Sequence, residues 1–406
     1  MTHTLPREMS QVIQNALKTF PVVVVTGMRQ VGKSTLLGKA PEFQNRAFAT
    51  LDDFSQLEEA KSSPETFLNL KVPLTIDEAQ RCPELLIAIK KAVDDKRVRG
   101  HFLLSGSSNF ALLKNVSESL AGRAIYLPLN PFTRREISNA SNSRPFLARF
   151  MKTSVLPKSL PDFSPISDRE IYLGGMPEVC LRPTHHSHLW FKGFEQTYLE
   201  RDIRGIEDPL GFRRLIRLAA LRTGNLFSPS ELARDAKLSA ATAARYLGLL
   251  ELSFIASRLP PFLNNRSSRL IKSPKLYLSD SGLACYLSGV SDERSLRPFP
   301  SYGALFETYV WNNLSAILAA HWPQASLSFW NVQGRHEVDF VIESGIDCWA
   351  VEVKAAERWE TRDLAGLKAF LEYTPHSKAA ILAYNGKVPA RLGDKLWALP
   401  LGLLLS

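Results

Sequence analysis

The chain has 406 residues and carries 50 Lys and Arg against 40 Asp and Glu, a formal charge of +10. An apolar share of 45% with 22% charged residues is that of ordinary globular chains, which excludes a disordered, collagen-like or coiled-coil protein, and the length calls for more than one core. Four scattered cysteines without a CxxC pair exclude a small disulfide scaffold and a cysteine-rich zinc site, and favour a reducing compartment.

The first residues, MTHTLPREMSQVIQNALKTF, are polar and lack the apolar centre of a signal peptide. No run approaches the roughly 18 consecutive apolar residues of a membrane span. The expectation is a soluble, cytoplasmic protein with no membrane partner. A pI near 9.4 points to an acidic partner, of which nucleic acid is the commonest.

A helix over 8–19 leads into Pro21–Thr26, a short β-branched run apolar on both faces, the pattern of a buried parallel strand. Similar runs follow at Ala47–Leu51, Val72–Ile76, His101–Leu104 and Ala124–Leu127, with helical segments between them such as Pro83–Val93. Strands alternating with helices give an α/β fold with a parallel sheet. Prolines 128, 131, 157, 161 and 165, set among Ser and Asn, mark a looser region. The expected parts are an α/β domain at 1–150, a helical lid or connector at 151–205, a DNA-contacting module at 206–279 and a second α/β domain at 280–406.

Residues Gly27-Met28-Arg29-Gln30-Val31-Gly32-Lys33-Ser34 match GxxxxGK[ST] directly after a strand, with Thr35 following. Gly27 and Gly32 allow the tight turn that converges backbone N–H groups on phosphate oxygens. Lys33 supplies a full charge to the β/γ-phosphates of ATP, and the Ser34 hydroxyl is a ligand for Mg²⁺. Asp77 and Glu78 follow a strand: the first holds the Mg²⁺, the second polarises the attacking water. The strand His101–Leu104 is expected beside that of Asp77, bringing Ser107 or Asn109 near the γ-phosphate. Arg123 is a candidate sensor of that phosphate, in its own subunit or in a neighbour's, so a homo-oligomer stays open.

Over 201–275 there are 14 Lys and Arg against 6 Asp and Glu, most of the chain's surplus charge. Helices are expected at Phe212–Arg222, from the capping box Ser228-Pro-Ser-Glu231 to Lys237, and at Ala240–Leu252 behind Ser239. Two strands follow, Phe254–Leu259 and Leu270–Leu278. This is the order of a winged helix-turn-helix. Thr242, Arg245 and Tyr246 are the expected DNA-facing residues of its recognition helix, with Arg266 and Arg269 on the wing. A spacer or protein-contact role is the competing reading.

The last part sets Glu307 on a helix over Tyr302–Trp322, Asp339 on a strand over His336–Ile342, and Glu352 and Lys354 on a strand over Trp349–Ala355. Alternation puts Glu352 and Lys354 on one strand face. Carboxylates meeting at one point bind a hard cation, here Mg²⁺ on Asp339 and Glu352, and a lysine there activates water or stabilises charge on phosphate. Surface charges on an amphipathic hairpin are the alternative.

Taken in order, Val-Thr-Gly-Met-Arg-Gln-Val-Gly-Lys-Ser-Thr-Leu (25–36), Leu-Asp-Asp (51–53), Ile-Asp-Glu-Ala-Gln (76–80), Leu-Ser-Gly-Ser-Ser (104–108), Leu-Ala-Gly-Arg-Ala (120–124), Tyr-Leu-Glu-Arg-Asp-Ile (198–203), Leu-Ser-Asp-Ser-Gly-Leu (278–283), Gly-Ala-Leu-Phe-Glu (303–307), Glu-Val-Asp-Phe-Val (337–341) and Glu-Val-Lys (352–354) resemble a bacterial and archaeal family of AAA-type ATPases. The resemblance implies a P-loop NTPase domain that binds and hydrolyses ATP, a winged helix, and a C-terminal domain similar to PD-(D/E)xK restriction-type nucleases. His336 and Glu337 stand where such nucleases carry a Pro-Asp pairing. Cleavage and simple DNA or metal binding both remain open, as does a nucleotide-dependent switch with an inactive nuclease fold, or a winged-helix transcription regulator.

Overall fold

The computed structural model describes residues 4–69, 72–106, 120–182, 187–198, 206–263, 272–332 and 335–406. The chain forms two compact units: Met1–Pro131 with Glu195–Arg204 and Leu249–Ile255, and Phe132–Phe194 with Gly205–Gly248 and Ala256–Ser406.

The first unit is built on five parallel strands, β1 (Val22–Thr26), β2 (Ala47–Thr50), β3 (Leu74–Asp77), β4 (Phe102–Ser105) and β5 (Ala124–Pro128), in the order β2-β3-β4-β1-β5. β1, β3 and β4 are buried along their whole length, which is why they read as unbroken apolar runs. Val22, Val24, Ile76, Phe102 and Leu104 pack with Leu85, Leu86 and Ile89 of the helix Pro83–Asp95. Because the strands are parallel, the loops after β1 and β3 open on the same, carboxyl edge, where α/β sheets bind ligands.

In the second unit, the helices Pro209–Leu221 and Pro229–Asp235 and the start of Ala240–Leu252 accompany a small sheet of β6 (Asn225–Leu226), β7 (Ala256–Leu259) and β8 (Lys275–Leu278), ordered β6-β8-β7 and antiparallel. A larger sheet contains β9 (Ser326–Val332), β10 (His336–Ser344), β11 (Asp347–Lys354), β12 (Ala379–Tyr384), β13 (Ala390–Arg391) and β14 (Leu396–Pro400), ordered β13-β14-β12-β11-β10-β9. β9, β10 and β11 form an antiparallel meander, while β11, β12 and β14 run parallel. Val338, Val341, Ala350, Leu382, Leu367 and Phe370 share one core with the helix Ala365–Tyr373. The pairing of β10 with β9 skips register between Val338 and Val341, so Asp339 sits on a β-bulge, a device that re-aims a side chain.

The segment 132–150, expected with the front domain, belongs instead to the second unit. Its apolar side chains explain this: Phe150 meets the edge of Trp397 at 5.5 Å between ring centroids, and the Phe146 amide donates to the Ser406 carbonyl at 2.9 Å. No helix among the described residues is long and apolar enough to cross a membrane. All four cysteines are free thiols.

Candidate functional site

The loop after β1 turns on Gly27 (φ 143°), Gln30 (φ 61°) and Gly32 (φ 99°). A Cβ on Gly27 would stand 2.4 Å from the Leu129 carbonyl oxygen, so glycine is required there for space as well as for φ. The helix Lys33–Lys39 begins immediately, and its first amides have no partners within the helix. Lys33 is buried, and its Nζ donates to the carbonyls of Gly27 at 3.0 Å and Met28 at 2.9 Å, so the ammonium lies inside the loop it serves.

Asp77, buried at the carboxyl end of β3, collects three hydroxyls. Ser34 Oγ donates to its Oδ1 at 3.0 Å, Thr50 Oγ1 to its Oδ2 at 3.4 Å, and Ser105 Oγ also to Oδ1. The next residue, Glu78, takes a left-handed backbone (φ 53°), uncommon for a residue with a Cβ and often found at functional sites. Its carboxylate accepts from Gln80 Nε2. Burial pushes the Glu78 carboxyl above its ordinary range, against the pull of the Lys33 charge, a direction that favours proton acceptance. A hydroxyl and a carboxylate 3.0 Å apart are the hard oxygen donors that suit Mg²⁺, so Ser34 and Asp77 fit that ion, which when bound would neutralise charge on a nucleotide's phosphates.

A second constellation lies in the C-terminal unit. β10 and β11 pair up to Phe340 and Val351, and Asp339 and Glu352 are the next residues beyond that couple. Asp339 Oδ2 accepts from the Val353 amide at 2.8 Å, and Lys354 Nζ lies 2.7 Å from Glu352 Oε1. Glu352 Oε2 is buried and has no hydrogen-bond partner among the described residues. Glu307 arrives from the helix Tyr302–His321 and accepts from the Tyr277 hydroxyl. At the centre is Lys275, on β8 and 3% exposed, whose Nζ lies 2.6 Å from Glu337, 3.1 Å from Glu307 and 3.3 Å from Asp339. Burial and the Asp339 charge push the carboxyls of Glu307 and Glu352 well above the usual range, while the surrounding carboxylates hold Lys275 firmly protonated. In this arrangement Glu307, Glu337 and Asp339 surround an ammonium, while Asp339 and Glu352, the residues expected to hold Mg²⁺, follow the Phe340–Val351 couple on the neighbouring strands.

Residues 19–138 match the family model of an AAA domain, while 166–294 and 302–404 match two domains of unknown function, DUF8612 and DUF4143. An uncharacterized protein of Mycobacterium tuberculosis, Rv2008c, is 31% identical over 98% of this chain and 84% of its own length. An uncharacterized protein of Mycobacterium bovis, Mb2031c, matches to the same extent. The chain belongs to their family. The Walker-type ATPase PABY2304 of Pyrococcus abyssi superposes with a TM-score of 0.44 at 16% identity, covering 71% of this chain and 99% of that one.

This member of the family thus carries an AAA-type ATPase domain whose Gly27–Thr35 loop and Asp77-Glu78 pair lie together, linked by the Ser34–Asp77 bond. Arg123 lies apart from them. β5 runs parallel to β1 with Ala124 opposite Val22, so Arg123 stands at the amino edge of the sheet, about five strand residues or roughly 15 Å from the loop's end. Its Nε and Nη2 grip Asp94 at 2.6 and 2.8 Å. Sensing a phosphate in its own subunit is incompatible with that position; the neighbouring-subunit alternative is not.

In the middle segment, Tyr246 does not face outward as expected. It is fully buried, meets the Phe212 ring edge-on at 5.1 Å, and its hydroxyl accepts from the Asp208 amide at 3.3 Å. The helical period puts it on the same face as Ala243, Leu247 and Leu250. Thr242 is occupied locally: its amide and hydroxyl both bond Ser239 Oγ, at 3.1 and 2.9 Å. Arg245 is exposed and lies 3.5 Å from Glu207. Arg266 and Arg269, expected on a wing, and Ser107 and Asn109 lie outside the described residues. Sequence reading missed Thr50, Ser105, Lys275 and Tyr277.

Proposed function

We propose that this protein is an ATP hydrolase that couples nucleotide turnover to contact with DNA. The observation carrying the first half is the Asp77 carboxylate bonded to the Ser34 hydroxyl, with Glu78 beside it. In this reading the loop amides and Lys33 would hold the β/γ-phosphates of ATP, and Ser34 and Asp77 would hold the Mg²⁺ that neutralises their charge. Glu78, its basicity raised by burial, orients and deprotonates water for attack on the γ-phosphorus. Released inorganic phosphate measured with Lys33→Ala and Glu78→Gln tests it. Turnover unchanged in both variants would refute the assignment.

DNA contact by 206–279 is supported by the surplus of basic residues over 201–275 and by helices followed by a three-stranded sheet, an order compatible with a winged helix. Such contact is carried by phosphates and weakens steeply with salt. ATPase rates with and without single-stranded, duplex and branched DNA test it; identical rates together with no retardation of any of the three would remove DNA from the account. Arg123, paired at the sheet's other edge, is compatible with service to a neighbouring subunit in a homo-oligomer.

For the C-terminal unit, the meeting of Glu307, Asp339, Glu352 and Lys354 speaks for phosphodiester cleavage, and Lys275, held by Glu307 and Asp339, speaks for a nuclease-like fold that does not cut. We favour the second, because an ammonium already satisfies the charge a catalytic metal would need. Nicking of a supercoiled plasmid in Mg²⁺, lost in Lys354→Ala, would reverse that preference.

A further inference from the structure

Lys275 is set where a divalent ion would be in a metal-assisted site. Three oxygens from three carboxylates, Glu337 Oε1, Glu307 Oε1 and Asp339 Oδ1, lie between 2.6 and 3.3 Å from its Nζ. Carboxylate oxygens ligate Mg²⁺ or Mn²⁺ at about 2.1 Å, so closing on a metal at that point requires movements of roughly 0.5 to 1.2 Å. Glu337 is 43% exposed, leaving a side from which water completes a coordination shell.

The lysine cannot leave easily while its strand stays put. It is buried to 3% exposure, and its backbone is paired on both sides in the small sheet, opposite Leu226 of β6 and Leu259 of β7. Next but one along β8, Tyr277 is fully buried, stacks on Trp311 at 5.1 Å and holds Glu307 through its hydroxyl. Removing one partner from a buried ion group leaves uncompensated charge, which is strongly destabilising.

We propose that Lys275 is the resident cation of this carboxylate cluster: it takes the place of a divalent metal, excludes one while β8 is docked, and leaves a latent metal site when removed. The proposal rests on the non-cutting reading of the C-terminal unit. It makes the small sheet and the carboxylates one interlocked device, since the module that supplies the cation is the module with the basic surplus. Displacing β8 would uncover the carboxylates.

The test is Mn²⁺ binding to the full chain without nucleotide, followed by the electron paramagnetic resonance of free Mn²⁺ in wild type, Asp339→Asn, Lys275→Met and the double variant. Wild type and Asp339→Asn should bind alike. Lys275→Met should gain one site at least tenfold tighter than any in wild type, and the double variant should lose it. Wild-type binding that disappears in Asp339→Asn would overturn the proposal, and this arm stands whether or not Lys275→Met folds. Should Lys275→Met melt early, Mn²⁺ should restore its midpoint and leave that of wild type unmoved; a Lys275→Met protein that neither binds Mn²⁺ nor is rescued by it sinks the latent site. Plasmid nicking separates the two readings. A wild type that cuts removes the non-cutting reading, whereas one that does not cut, beside a metal-blind Lys275→Met, removes the resident-cation proposal alone.

Discussion

The Ser34 hydroxyl donates to Asp77 Oδ1 at 3.0 Å across 43 residues of sequence. That one bond joins the phosphate loop after β1 to the carboxylate at the end of β3, although β4 lies between the two strands. Ser105, at the end of β4, fills the gap by donating to the same oxygen, and its Oγ also accepts from the Glu78 amide at 3.3 Å. The three carboxyl ends therefore act as one polar edge on an apolar sheet, and the substitutions that matter there separate binding from turnover.

Glu78→Gln should keep nucleotide binding and lose turnover by about 10²–10⁴-fold, the usual worth of a general base. Lys33→Ala should instead lose binding, because it removes the charge that meets the phosphates. Fluorescent-nucleotide titration beside phosphate release distinguishes them. A Glu78→Gln protein with normal turnover would assign the water to another group.

Gly27→Ala should destabilise the first unit by roughly 1–3 kcal/mol, from backbone strain at φ 143° and from a methyl 2.4 Å from the Leu129 carbonyl. Thermal melting reads it directly. An unchanged midpoint would mean that the loop relaxes without cost and that the close approach is not a constraint.

Much of the first unit was legible because its evidence is contiguous. A parallel strand buried on both faces leaves an unbroken apolar run, and the phosphate loop lies in nine consecutive residues. Thr50 and Ser105 were not legible, since their hydroxyls reach Asp77 only once the order β2-β3-β4 is known. Lys275 was hidden for the same reason: its partners Glu307 and Asp339 are 32 and 64 residues away and no local pattern links them. Tyr246 is different, because the signal was present. It follows Ala243 by three positions and precedes Leu250 by four, which already puts it on the apolar face.

That difference gives a paired prediction in the middle segment. Tyr246→Ala should cost about 3–5 kcal/mol of stability, as for other buried aromatic truncations. Arg245→Ala should leave stability within about 0.5 kcal/mol, because its ion pair with Glu207 is exposed. If the module touches DNA, Arg245→Ala should also weaken retardation of all duplexes alike and lower the salt slope by about one. An equal loss of DNA affinity in both variants at equal stability would put Tyr246 back at the interface.

Asp280 offers a pH test in the second unit. Its carboxylate is fully buried and accepts from the amides of Gly175 at 2.6 Å and Leu283 at 2.8 Å, which ties the 174–176 turn to the start of the helix Ser281–Ser288. Burial pushes this carboxyl from 3.8 up to about 6, against the pull of those amides. Because the folded value lies above the unfolded one, the folded state holds the extra proton between them. The associated stability is present in full below pH 3.8 and is lost as pH rises through about 6, amounting to roughly 1–3 kcal/mol. Asp280→Asn cannot titrate, and it turns an amide N–H₂ toward backbone donors, so at pH 4 it should be less stable than wild type by about 1–3 kcal/mol. The gap between wild type and Asp280→Asn should therefore narrow as pH rises from 4 to 7 (midpoints of thermal unfolding at fixed ionic strength measure it). Parallel curves would show that the buried carboxylate stays ionised throughout, held by the backbone amides alone.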